Sequence, residues 1–114
     1  MAQLASTILF SIDTALQVKG GINVETITVF NALTYRSSPV QLLTNGTGGG
    51  LEVRLPGYTS TVQVKDGVQF IIRCSGANDL VIKKEGAVTL ATLTTGQVGI
   101  FMADGTTWQL VFQG

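Results

Sequence analysis

Residues 78–113 read NDLVIKKEGAVTLATLTTGQVGIFMADGTTWQLVFQ, and this stretch decides the fold class. Leu80 and Ile82, then Val88 and Leu90, then Val98, Ile100 and Met102, then Trp108, Leu110 and Phe112 fall on alternate positions. A strand sends every second side chain to the same face, so the spacing predicts four short strands sharing one apolar layer. Between the runs stand Glu85-Gly86, Thr95-Gly96 and Asp104-Gly105. Asp-Gly between apolar runs is a strong hairpin signal, because glycine accepts the positive φ that tight turns need. No residue set in this stretch is equipped to break a bond.

Working outward, the same grammar continues. Ser6–Ile12 alternates, with Ile8, Phe10 and Ile12 on one face. Residues 22–30, INVETITVF, start in phase at Ile22 and Val24 and then slip to Ile27 and Val29, which predicts a β-bulge near Glu25-Thr26 or a crossing to another layer. Val40–Leu43 reads as a short strand, and Leu51, Val53 and Leu55 alternate up to Pro56-Gly57. Val62 and Val64 lead to Lys65-Asp66-Gly67, after which Phe70, Ile72 and Cys74 alternate with Gln69, Ile71 and Arg73. The count is about eight or nine strands with turn residues between them, which indicates a sandwich or barrel rather than a βαβ fold. No repeat of solenoid length is visible. The expectation is an all-β, antiparallel β-sandwich forming a single domain over residues 6–114, with residues 1–5 as an N-terminal arm.

Composition narrows the function. The chain has 114 residues, 45% of them hydrophobic, enough for one domain with a real core. Only 12% are charged, seven basic against seven acidic. Ordinary domains carry about 25% charge and keep their net charge away from zero. The reading is a surface partly covered by neighbours; the alternative is a monomer that uses Thr, Ser, Gln and Asn outside. Zero net charge argues against a nucleic-acid partner, which demands Lys and Arg for phosphates. The N-terminus MAQLASTILFSID lacks the pattern of a signal peptide, and no apolar run approaches the ~20 residues of a membrane helix. The expectation is a protein made in a cytoplasm, with no membrane partner.

Histidine is absent, which removes the commonest general base and metal ligand and any Ser-His or Cys-His pair. Cys74, the lone cysteine, lies in the apolar run VQFIIRCS and reads as a buried structural thiol. Asp66, Asp79, Glu85 and Asp104 sit in or beside predicted turns, where Asp bonds its own backbone. A carbohydrate-active enzyme with two carboxylates is the enzymatic alternative, and nothing raises it above background. No cofactor and no metal are expected. The glycine run NGTGGG at 45–50 precedes a strand and has no nearby lysine, so it reads as a loop that orders on contact rather than a phosphate cradle. Lys83-Lys84 with Arg73 form a possible basic patch on a solvated edge. Tyr35, Tyr58 and Trp108 are candidates for stacking on sugar rings, although Trp108 starts an alternating strand and reads better as a core or interface anchor. In residues 97–103 the set Gly99, Phe101 and Ala103 is apolar as well, and Ile71 adds to that second face. A solvated face should be polar, so this one is expected to meet a subunit or a lattice, or else to lie under a loop of the same chain.

The closing module resembles one found in tailed-phage virion proteins. The residues that carry the likeness are GANDLVIKKEG (76–86) and VTLATLTTGQVGIFMADGTTW (88–108) with the strand after them. Such modules are similar to the small β-domains of phage fibres and of head-decoration or cement proteins. The resemblance implies a jelly-roll-like sandwich and a non-enzymatic structural role, most simply a capsid decoration protein binding across capsomers. Its partners would be the major capsid protein, copies of itself in a dimer or trimer, or both, on the capsid surface of the virion. A trimeric tail-fibre, adaptor or receptor-binding module is the alternative. The candidate contact residues are Gln3 and Leu4 in the arm, Asn45, Gly46, Thr47 and Gly48 in the loop, and Phe101.

Overall fold

The chain folds by passing back and forth between two sheets. In the computed structural model, residues 21–57 and 67–114 are described. Their strands are β1 (Ile22–Ile27), β2 (Asn31–Ala32), β3 (Val40–Asn45), β4 (Leu51–Arg54), β5 (Gln69–Cys74), β6 (Leu80–Lys84), β7 (Val88–Leu93), β8 (Val98–Ala103) and β9 (Trp108–Gln113). One sheet has five strands in the order β1-β3-β5-β8-β9, and the other has four in the order β2-β4-β6-β7. Through β6 every neighbouring pair is parallel. Parallel neighbours cannot be joined by a tight turn and need a long crossover. Here the crossover contains a strand of the opposite sheet, so β1 through β6 wind as coils. The last third then turns back: β7 runs antiparallel to β6, β8 to β5, and β9 to β8.

The all-β, two-layer, single-domain expectation is met. The antiparallel one is not: both sheets are mixed, where a jelly roll pairs its strands antiparallel. Thr95-Gly96 also differs from its reading as a hairpin turn. It joins β7 to β8, which lie in different sheets. The coils leave no regular repeat in the sequence because they are unequal: β3 follows β1 closely, whereas β5 follows β3 only after the excursion through residues 46–68. Ser6–Ile12, Val62, Val64 and the arm at residues 1–5 lie outside the described residues.

The core fills the space between the sheets. Leu43, Phe70, Ile72, Cys74, Phe101 and Trp108 enter from the five-stranded side, and Val53, Leu80, Ile82 and Leu93 from the other. Burying each large apolar side chain stabilises the fold by about 1.5–3 kcal/mol. Trp108 is fully buried; its indole N–H donates to the Pro56 carbonyl at 2.7 Å, and its ring lies 5.7 Å from that of Phe70. One side chain thus ties the last strand to the end of β4.

Several strands face opposite to expectation. In β1 the register with β3 runs unbroken from Ile22 to Ile27, so there is no bulge at Glu25-Thr26. Ile22 and Val24 point outward while Ile27 is buried. The bulges fall elsewhere, between Ile82 and Lys83 opposite β7 and between Ile100 and Phe101 opposite β9. A bulge sets two residues against one and shifts the parity beyond it. Ala91 and Leu93, not Val88 and Leu90, are buried because they pair with the inward Ile82 and Leu80, and the bulge opposite β9 leaves Phe112 on the outer face. Leu110 keeps the inner side, opposite Phe101, yet remains partly exposed at the sheet edge.

Candidate interaction surfaces

Asn45, expected in a contact loop, is an internal tie instead. It is buried at the end of β3. Its amide donates to the carbonyls of Gly49 at 2.6 Å and Asp79 at 2.7 Å. Its Oδ1 accepts from the Thr47 N–H at 2.8 Å and the Thr47 hydroxyl at 2.6 Å. The Asn78 amide in turn donates to the Thr47 carbonyl. Loop 45–50 is therefore stitched to the turn before β6, because a buried amide must find partners for both ends. Gly46 and Gly48 are exposed and Thr47 is half-buried. The Gly46 N–H donates to the Ile27 carbonyl at 2.8 Å, and a Cβ there would stand 3.1 Å from the Thr26 methyl. Gln3 and Leu4 lie outside the described residues.

Phe101, expected on an outer contact face, is fully buried. It pairs across the sheet with Phe70, which points inward, and the ring occupies the space over Gly99, where a Cβ would meet it at 2.7 Å. The apolar outer face exists, but it is the other parity. Ile22 is the register partner of Val40, Val40 of Ile71, Ile71 of Ile100, and Ile100 of Phe112. This apolar row crosses all five strands, roughly 19 Å at the usual strand spacing. The next row holds Val24, Leu42, Arg73 and Val98, and a third pairs Gln69, Met102 and Gln109. Among these outward positions Arg73 is the sole charge. Val24 is 74% exposed, Ile22 58% and Phe112 52%. Apolar contiguity of this kind marks contact sites on protein surfaces. The sequence carried the signal, two apolar parities in one strand, but not which parity faces out.

Several polar groups elsewhere are occupied with each other. Glu52 lies 3.3 Å from the Lys83 ammonium and accepts from Arg54. Desolvation pushes its carboxyl up, yet the hydrogen bonds from Arg54 and Lys83 outweigh this and hold it below its usual range. Lys83 and Lys84 lie on β6 and Arg73 on β5, in different sheets, so the expected basic patch does not form one rung. Asp104 accepts from the Gln109 amide and from the N–H groups of Thr107 and Thr106, each at 2.8 Å, and these bonds lower its carboxyl to about 2. That is the turn chemistry expected of it. In an open cleft of about 290 Å³ beside β1, the Asn23 amide donates to Glu25 at 3.1 Å and to Gln41 at 2.8 Å. Tyr35 is exposed with the Arg36 guanidinium 5.5 Å from its ring, and Tyr58 lies outside the described residues. Cys74 is buried, its thiol 3.2 Å from the Asn78 carbonyl. Among the described residues no group of three or more Asp, Glu, Cys or His could hold a metal ion, and no helix is long and apolar enough to cross a membrane.

No family model matches the sequence, and no curated protein does. A solved structure described as that of a chaperone-substrate complex contains a chain similar to this one, with 23% identity and a TM-score of 0.50. The likeness covers 82% of this chain and 19% of the other, and at that identity it concerns the fold alone. The protein thus spans about a fifth of the length of that neighbour.

Proposed function

We propose that the protein is a non-enzymatic structural component of a phage virion, most simply a capsid decoration protein seated across capsomer boundaries. The observation that carries this reading is the apolar row Ile22–Val40–Ile71–Ile100–Phe112 on an outer face where, among the described residues, the paired outward positions carry one charge, Arg73. A face that sheds water without stripping charges associates at little desolvation cost. Many identical contacts of modest strength then sum over a shell. The likeness of residues 76–108 to virion β-modules supports the same role. Under this reading the partners are the major capsid protein and copies of this chain. No cofactor, nucleic acid or membrane takes part, and the chain turns over no polysaccharide.

The direct test is rebinding of purified protein to stripped capsid shells of the phage that encodes it. Val24→Lys places an ammonium on the most exposed part of the face and lowers occupancy at least about tenfold, the equivalent of 1.4 kcal/mol. Undiminished occupancy would refute the contact. A second reading, a trimeric fibre, adaptor or receptor-binding module, draws on one observation: among the described residues β1 and β2 are the outer strands of a stack of parallel coils, an arrangement that elongated fibres extend. Imaging labelled protein on virions separates head from tail.

A further inference from the structure

The chain has one Asn-Gly pair, Asn45-Gly46, and the fold fixes both of its residues. Asn45 is buried at the end of β3. Its side chain donates twice, to the carbonyls of Gly49 at 2.6 Å and Asp79 at 2.7 Å. It also accepts twice, from the N–H of Thr47 at 2.8 Å and its hydroxyl at 2.6 Å. Only an amide of this length supplies two donors and two acceptor lone pairs at once. Gly46 is fixed by space: a Cβ there would stand 3.1 Å from the Thr26 methyl and 3.2 Å from the Thr28 methyl. Its N–H donates to the Ile27 carbonyl at 2.8 Å.

We infer that Asn45-Gly46 is a deamidation site that the fold holds shut and unfolding opens. In a free chain glycine has no side chain to keep its nitrogen away from the preceding residue. The Gly46 nitrogen gives its proton to hydroxide and attacks Cγ of Asn45. The N–Cγ bond forms as the Cγ–Nδ2 bond breaks, and ammonia leaves with a proton returned by water. Water then adds to one carbonyl of the cyclic imide and opens it, leaving an aspartyl or isoaspartyl residue at position 45. Nothing is oxidised or reduced. The folded chain blocks each requirement. The Ile27 carbonyl holds the proton that must leave, and four hydrogen bonds hold the amide that must turn. Modification in turn blocks folding. A carboxylate only accepts, so it would confront the Gly49 and Asp79 carbonyls with no proton between them, at a buried position. The isoaspartyl form also lengthens the backbone where β3 pairs Asn45 with Ile27. Time spent unfolded is thereby recorded at one residue and becomes irreversible. The inference rests on this one tie and holds whatever the protein assembles with.

The full chain is incubated at one mildly alkaline pH, native and in guanidinium chloride, and the peptide carrying residue 45 is followed by mass spectrometry. The native chain should convert at least about a hundredfold more slowly, because it reacts only through its open population. After dilution from denaturant, size exclusion separates refolded from unfolded chains. The refolded fraction should carry the intact amide and the unfolded fraction the acid, with recovery of the circular dichroism spectrum falling in step with time in denaturant. Conversion of the native chain at the unfolded chain's rate would overturn the proposal. Modified chains that refold as completely as unmodified ones would overturn it as well.

Discussion

Phe101 shows what a single residue can and cannot reveal. In β8 both parities are apolar, Val98, Ile100 and Met102 against Gly99, Phe101 and Ala103. Alternation then states that a strand exists without stating which side is core. The choice is made by residues remote in sequence: Phe70 is the cross-strand partner of Phe101, and Gly99 leaves the room its ring fills. Trp108 was legible because a large aromatic opening a strand buries most area when it points inward, and the Pro56 carbonyl satisfies its N–H. Phe101→Ala should therefore cost about 3–5 kcal/mol of unfolding free energy, the range for emptying an aromatic site in a closed core. Chemical denaturation at one fixed protein concentration measures it, and a loss under about 1 kcal/mol would mean the ring is at the surface.

At the scale of elements, strand positions were legible and strand partners were not. Gly86, Gly96 and Gly105 all have positive φ, as the turn residues implied. Yet the turns at Gly86 and Gly105 close antiparallel pairs, whereas the turn at Gly96 sends the chain into the other sheet. A turn sequence fixes local geometry, while the destination of the next strand depends on which edge is vacant. The Asp104-Gly105 turn also carries a pH signature. The Asp104 carboxyl is lowered from 3.8 to about 2 by bonds that favour its charged form. A lowered folded-state value contributes stability that is complete above the unfolded value and is lost as pH falls through the folded one. Asp104→Asn keeps an acceptor for the turn N–H groups but cannot titrate. Its stability should change less than that of wild type between about pH 4 and pH 2, as followed by thermal unfolding across that range. Parallel curves for the two proteins would show that the Asp104 bonds do not form in solution.

For the whole molecule, composition spoke more clearly than motif. Few charges and ample apolar residues predict apolar surface, and the outer face of the five-stranded sheet exposes it at Ile22, Val24 and Phe112; its cover by neighbours is the proposal. The coil path was hidden because its turns differ in length and share no sequence repeat. The buried ties of Asn45 were hidden as well, since an Asn-Gly pair before glycines has the composition of a plain loop. The proposed assembly contact would accordingly be a property of the sheet as a whole: its rows are built from β1, β3, β5, β8 and β9, no two of which except β8 and β9 are consecutive in the chain.

Hydroxyl-radical footprinting of the protein, free and bound to capsid shells, tests that claim most directly. Met102 and Phe112 stand on the outer face and carry side chains that oxidise readily, while Tyr35 lines a separate hollow with Leu33, Pro56 and Gly57 past the end of β4. The account predicts that oxidation of Met102 and Phe112 falls several-fold on binding while that of Tyr35 is unchanged. Equal oxidation of Met102 and Phe112 in the free and bound states would contradict it.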